Sequence, residues 1–143
     1  MMKHDEWALE LARVVAKRSK DPSTQVGAVL LDPMGRIIAA GFNGLPVGVE
    51  DTQERLTDRS VKYRMMRHAE ANALAFAVGP TQGCTLVVTH PCCAQCAGDA
   101  VQHGIARVIY PAPSEEMRAR WADDFKAAHE MFAEAGVIVK ECA

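Results

Sequence analysis

The residues best suited to chemistry are Cys92, Cys93 and Cys96, inside "HPCCAQC", and His68 and Glu70, inside "HAEANAL". Neutral imidazole and thiolate are preferred ligands of zinc, which takes four positions in a tetrahedron. Cys93 and Cys96 stand three residues apart, so one helical turn puts both sulfurs on one face. At a helix N-terminus the partial positive charge lowers a thiol pKa and favours thiolate. With His68 as a third ligand, the fourth position stays open for water, which zinc can ionise near neutral pH. Glu70, two residues beyond His68, flanks that position without being a ligand. This is the layout of a hydrolytic site. Cys92 with Cys96, at i,i+4, also gives same-face spacing, so helix geometry leaves that pairing open. Read singly, each part is commonplace. A C-x-x-C is also half of a structural zinc site or a redox pair, and Glu70 is also an acid favoured at a helix start by the dipole.

These residues need elements that bring them together. Residues 4–18 carry Trp7, Leu11, Val14 and Val15 at helical spacing. "QVGAVLL" and "RIIAAGF" are β-like runs around "DPMG", a turn with proline in second place. A loop containing Gly and Pro spans about 44–56, and a helix follows near 57–66. "HAEANALAFAV" reads as a helix ended by Gly79-Pro80, "TLVVT" as a strand, 93–103 as a helix and "RVIY" as a strand. The last helix covers 114–135, with Trp121, Phe125, Ala128, Phe132 and Ala135 as an apolar stripe for the core or a subunit contact. "GVIVKE" closes the chain as a strand after a glycine stop. This order predicts an α/β fold, three-layer α/β/α with a mixed five-stranded sheet, as a single domain over 1–143. Right-handed βαβ crossovers put the helix starts at 68 and 93 side by side at one end of the sheet.

Composition narrows the class. Of 143 residues, 49% are apolar and 24% charged, the balance of a soluble globular enzyme. The five cysteines are an odd number, which excludes a fully paired disulfide framework. No apolar run is long enough to cross a bilayer, and "MMKHDEWALELARVV" carries acids and no small-residue cleavage site. A cytoplasmic location is expected, where thiols stay reduced and clustered cysteines bind metal or react. A net charge of −2 argues against nucleic acid as a partner. Residues 55–67 are a local exception, with five basic residues against one acid and Arg55, Arg59 and Lys62 at helical spacing; the segment reads equally as cations reaching a phosphate and as a solvated basic face.

Joined by an intervening strand and 24 residues between His68 and Cys93, the motifs form H-x-E followed by C-x-x-C, which resembles the H-x-E and P-C-x-x-C signature of zinc deaminases. The chain resembles the cytidine and deoxycytidylate deaminase superfamily, most closely its deoxycytidylate (dCMP) deaminase branch. "SKDPSTQVGAVLLDPMGRIIAAGFNGLPVG", "RHAEANAL", "GCTLVVTHPCCAQCA" and "HGIARVIY" match that branch in order, from about residue 5 onward and loosely after Tyr110. The zinc motifs are shared across the superfamily; "SKDPSTQVGA" and "FNGLPVG" are the specific part. One departure concerns the cysteines. The family has proline immediately before its first cysteine ligand, where this chain has Cys92, with Pro91 one residue earlier. A gapless match from Leu86 through Ala97 makes Cys93 and Cys96 the ligands and Cys92 the substitute for proline.

The resemblance implies a cytidine deaminase-like fold and one zinc held by His68, Cys93 and Cys96. It implies hydrolysis of dCMP to dUMP and ammonia by attack at C4, with Glu70 as proton carrier. It also implies that Asn43 contacts the sugar and base, that Ala69 N–H meets the base O2 and that Val26 lines the base pocket. Lys20, Ser23 and Thr24, a cation and two hydroxyls, are candidates for the phosphate. The implied partners are dCMP, possible dCTP and dTTP effectors, and further copies of the chain in a hexamer or dimer. Competing readings are a deaminase of a modified cytosine nucleotide, a nucleoside, a free base or tRNA adenosine, and a non-enzymatic structural zinc module with Cys92 or Cys84 as fourth thiolate. The acidic balance and the 24 residues between Asn43 and His68 stand against tRNA adenosine. His90, beside the metal turn, reads equally as a pocket or a loop residue. His4, His103 and His129 read as surface residues, and Cys84 and Cys142 as small apolar ones.

Overall fold

The structure is a computed structural model and describes residues 1–142. In chain order the elements are α1 (His4–Ala16), β1 (Gly27–Leu31), β2 (Ile37–Phe42), α2 (Gln53–Thr57), α3 (Arg59–Met65), α4 (Ala69–Ala75) and β3 (Thr85–Val88), then α5 (Ala94–Gln102), β4 (Arg107–Pro111), α6 (Glu115–Arg120), α7 (Ala122–Ala135) and β5 (Ile138–Cys142). The strands form one mixed sheet in the order β2-β1-β3-β4-β5. β1 runs antiparallel to both β2 and β3, while β3, β4 and β5 run parallel. The central strands are continuous apolar runs because both of their faces are covered: every residue of β1 and of β3 is buried.

Alternation along the strands divides the core in two. Ala28, Leu30, Leu86, Val88, Val108 and Tyr110 pack with Ala73 and Leu74 of α4, Ala97 and Ala100 of α5, and Phe132 of α7. Val29, Leu31, Val87 and Ile109 point the other way, onto Ala8, Leu9 and Ala12 of α1. The result is the three-layer arrangement, with α1 covering one face and α4, α5 and α7 the other.

Two glycines set how closely helices approach the sheet. A Cβ on Gly27 would run into the backbone of α1, at Ala12 O and Ala16 N. A Cβ on Gly41 would run into the backbone of α4, at Ala73 N and at Ala69 O, the latter 2.6 Å away. Here α4 therefore lies directly on β2.

The expected elements are present, with three differences. The 44–56 stretch ends in a helix, α2, because Thr52 caps it by accepting from Arg55 N–H at 3.2 Å. Asp58, extended, closes α2 and caps α3 by accepting from Ser60 N–H and Val61 N–H. Arg55 therefore does not share a helix with Arg59 and Lys62. α4 stops at Ala75, before Gly79-Pro80. The last helix is broken at Trp121, which leaves helical geometry at φ −111°, ψ 21°. Of the two pieces, α7 is the one that packs on α5, and Ala128 and Phe132 are buried while Trp121 and Ala135 are exposed. Gly136, at φ 77°, provides the stop, and Val137 N–H bonds back to Phe132 O at 2.8 Å.

Gly41→Ala should force α4 off β2 and cost about 1–3 kcal/mol, lowering the thermal midpoint by roughly 3–10 °C. Gly98→Ala, inside α5 with only Met131 Sδ near its added Cβ, at 3.9 Å, should instead stabilise by about 0.5–1 kcal/mol. Thermal denaturation of the two variants checks the pair of signs.

Candidate active site

Two helix starts meet where β3 ends. His68 is the N-cap of α4 and Cys93 the N-cap of α5, both with extended backbone. The segment before His68 is held by a bridge in which Arg67 N–H donates to Gly44 O at 2.8 Å and Gly44 N–H to Arg67 O at 3.1 Å. The segment before Cys93 is anchored to β1, since Thr89 N–H donates to Gly27 O at 3.0 Å and Thr89 Oγ1 accepts from Gly27 N–H at 3.1 Å. Asp124 of α7 accepts from Ala94 N–H at 2.6 Å and so satisfies one of the free donors at the start of α5.

His68 Nδ1 lies 3.3 Å from Cys96 Sγ and 3.5 Å from Cys93 Sγ, and all three ligand atoms fall within 4.8 Å of one another. Zinc–sulfur and zinc–nitrogen bonds of about 2.3 and 2.1 Å at the tetrahedral angle would set nitrogen and sulfur about 3.6 Å apart. These three side chains fit zinc. Burial runs from exposed His68 through half-buried Cys93 to buried Cys96, so the group opens on one side. Cys92 is not part of it; its thiol is buried in the core cluster. Cys84 is remote, beyond the far end of β3, with its thiol directed at Pro80 O, 3.6 Å away.

The electrostatics favour a thiolate. The Cys93 thiol is pulled down to about 4 by the hydrogen bond from the Cys96 thiol, with further help from His68 and from Cys96 N–H, which lies 3.4 Å from the sulfur. As donor in that pair, Cys96 is pushed up, and its burial adds to the effect. His68 is raised by its hydrogen bond to Cys93 and by the charge of Glu70. Glu70 is only 4% exposed, and burial raises its carboxyl above the usual range, opposed by its own backbone N–H and by His68.

The remaining expected residues form a second, adjoining group. Asn43 Oδ1 accepts from Val26 N–H at 2.8 Å, and Asn43 Nδ2 donates to Thr24 O at 2.9 Å and Asp21 Oδ2 at 3.2 Å. Asn43 is buried and Val26 half-buried against the core. The Gly44–Arg67 bridge links this group to His68. Ala69 is the first residue of α4, so its N–H is one of the helix's unpaired first-turn donors. Ser23 and Thr24 are exposed, and their N–H groups donate to Asp21 Oδ1. Lys20 is exposed and pairs with Asp51 at 2.7 Å. His90 is half-buried and bonds Thr89 Oγ1 through Nδ1 at 2.8 Å; burial lowers its pKa.

Three residues escaped sequence reasoning. Lys62 reads from sequence as a cation for the phosphate or on a solvated face, yet it is buried and paired with Asp21. Asp21 forms a turn dipeptide with Pro22, and no local pattern marks its buried partner. Asp124 lies 30 residues from the helix it caps, and no local pattern marks it.

Comparison with known proteins agrees with this geometry. The family model for the cytidine and deoxycytidylate deaminase zinc-binding region matches residues 2–112. An uncharacterized deaminase from the luxG 3′ region of Aliivibrio fischeri is 42% identical over 137 residues, covering 94% of this chain and 92% of the relative. The deoxycytidylate deaminase of Homo sapiens is 33% identical over 144 residues, covering 95% of this chain and 78% of the relative. The crystal structure of dCMP deaminase from cyanophage S-TIM5 in complex with dCMP and dUMP superposes with a TM-score of 0.77 at 25% identity, over 99% of this chain and 100% of that one. With its zinc-binding motifs matched and three side chains that fit the metal, the chain belongs to the cytidine and deoxycytidylate deaminase family.

Proposed function

We propose that this protein hydrolyses dCMP to dUMP and ammonia, with zinc held by His68, Cys93 and Cys96 and with Glu70 as the proton carrier. The observation that carries the reading is the convergence of those three ligand atoms within 4.8 Å, two residues from a buried carboxylate. The curated deoxycytidylate deaminases and the cyanophage enzyme with dCMP and dUMP bound support the choice of substrate.

Bound zinc would supply a Lewis acid that makes water nucleophilic near neutral pH. Glu70 takes one proton from the water that attacks C4 and delivers it to N3. It then takes the second proton from the new C4 hydroxyl and gives it to the amino group, which leaves as ammonia as the C4 carbonyl forms. A carboxyl raised by burial suits a group that must both accept and release a proton near neutrality. Ala69 N–H donates to the base O2, and Val26 lines one side of the base. Asn43 has both amide groups committed within the chain, so its contact with the sugar uses the second lone pair of Oδ1 or exchanges one of those bonds. Ser23 and Thr24 offer hydroxyls to the phosphate, and Lys20 joins them by leaving Asp51.

A structural zinc module is the weaker reading, because neither Cys92 nor Cys84 stands with the three ligands to close the tetrahedron. The proposal extends to a cytoplasmic location, a homo-oligomer (hexamer or dimer) and response to dCTP and dTTP. No described helix is long and apolar enough to cross a membrane.

Metal analysis should find one zinc per chain. Cys93→Ser should lose both zinc and turnover, whereas Cys92→Pro should keep both; the reverse result would reassign the ligand. Glu70→Ala should keep zinc and fold while losing on the order of 10²–10⁴-fold in kcat, and near-normal kinetics in Glu70→Gln would remove it as proton carrier.

Substrate choice is tested by kcat/KM for dCMP against deoxycytidine under the same conditions. Zinc and Glu70 act only on the base, so any preference arises from groups around the phosphate. Such groups lose their partner when the nucleoside binds, and dCMP should be favoured by on the order of 10²-fold or more. Equal values would assign the protein to nucleosides.

A further inference from the structure

Outside the metal group, the strongest feature is a buried ion pair. Lys62 Nζ lies 2.7 Å from Asp21 Oδ1, and the two side chains are only 11% and 5% exposed. The same Oδ1 accepts from Ser23 N–H at 2.8 Å and Thr24 N–H at 3.2 Å, and Oδ2 accepts from Asn43 Nδ2 at 3.2 Å. Ser19, also buried, donates through Oγ to Asn43 O at 2.8 Å and accepts from Asp21 N–H at 3.2 Å. Capping the turn needs only a neutral acceptor, so the turn does not account for the charge. What the charge adds is Lys62, from a helix 41 residues away.

The contacts close a ring. Asp21 holds Lys62 of α3, α3 runs into Met66 and Arg67, and Arg67 bridges Gly44. Gly44 follows Asn43, whose amide returns to Asp21. His68 is the next residue after the bridge. The ring therefore joins the Ser19–Thr24 turn to the residue that begins the metal group.

We propose that Asp21 and Lys62 are positioning residues for nucleotide binding. Their buried pair fixes the Ser19–Thr24 turn and Asn43 at a set distance from the His68 end of α4, so that base and sugar–phosphate are gripped in one register. This rests on the dCMP reading above. It also removes Lys62 from the candidate phosphate ligands, since its charge is spent inside the protein. An ion pair taken out of water is retained only where geometry and further hydrogen bonds compensate both charges, and Asp21 has three such bonds besides Lys62.

The test compares the unaltered zinc-loaded enzyme with Lys62→Met and with the double variant Asp21→Asn/Lys62→Met. The single variant leaves a buried carboxylate unpaired and is open to misfolding; the double variant removes both charges and keeps an Oδ1 to cap the turn. The double variant therefore decides. It should bind one zinc per chain and keep kcat within about threefold, while KM for dCMP rises on the order of tenfold or more. Its preference for dCMP over deoxycytidine should fall in step, and amide exchange at Ser23 and Thr24 should quicken by on the order of tenfold. Unchanged KM with full zinc overturns the proposal, as does a fall in kcat and zinc together without a change in KM, which marks a general structural role. Absence of dCMP turnover by the unaltered enzyme counts against the functional reading instead. The coupling of Lys62 to the turn is then decided by exchange alone, and unchanged exchange overturns it.

Discussion

His68 and the two cysteines belong to different helices, and a metal can join them only if both helix starts lie within one coordination sphere. That closeness is set by backbone packing. Gly41 lets α4 rest on β2 without an intervening side chain, and any Cβ there would push the helix and His68 outward. β2 pairs with β1, β1 pairs with β3, and β3 feeds through Thr89 into the turn that presents Cys93. Every step is a hydrogen-bonded ladder or a direct contact, so little slack accumulates between the two ends. The ligand set depends on this chain of rigid contacts.

Against that frame the protein buries two carboxylates and treats them in opposite ways. Glu70 is buried with only His68 as a cationic neighbour, and burial raises its pKa. Asp21 is met by Lys62 and by three hydrogen bonds and organises a turn. Removing one partner of such a pair costs on the order of 3–5 kcal/mol, because the other charge stays buried. In the proposed reading two residues of one chemical type serve as acid–base group and as scaffold, and the difference lies in what surrounds them.

The division of labour follows from reach. In the proposed reading, chemistry at C4 is served by the end of the sheet, where β3 stops and α4 and α5 begin. We propose that discrimination among nucleotides falls to the adjoining turn, where Ser23 and Thr24 are exposed while their N–H groups donate to Asp21. Lys20, the exposed cation of that turn, is already engaged by Asp51, so a phosphate must compete with a carboxylate for it. Such competition favours a dianionic phosphate over a neutral hydroxyl.

Much of this was legible in the residues themselves. Short apolar runs marked the strands and helical periodicity most helices, and the spacing of His68, Glu70, Cys93 and Cys96 marked a metal site, because ligand chemistry and helix geometry are both local. The choice between Cys92 and Cys93 was not local, since either gives same-face spacing with Cys96; the structure separates them by turning Cys92 into the core and making Cys93 the cap of α5. The break at Trp121 and the helix at Gln53–Thr57 depend on caps and packing that periodicity does not register. Lys62 is the plainest case. Among five basic residues between 55 and 67, nothing in the sequence says which one goes inside. That was decided by where α3 lands relative to Asp21, 41 residues earlier. The sequence by itself determined the ligand types, their spacing and the elements that carry them, because these follow from covalent order and short-range sterics. Only the tertiary structure decided which charges are buried, which thiol faces the metal group and which amides remain for a substrate, because burial and pairing are properties of distant segments brought into contact.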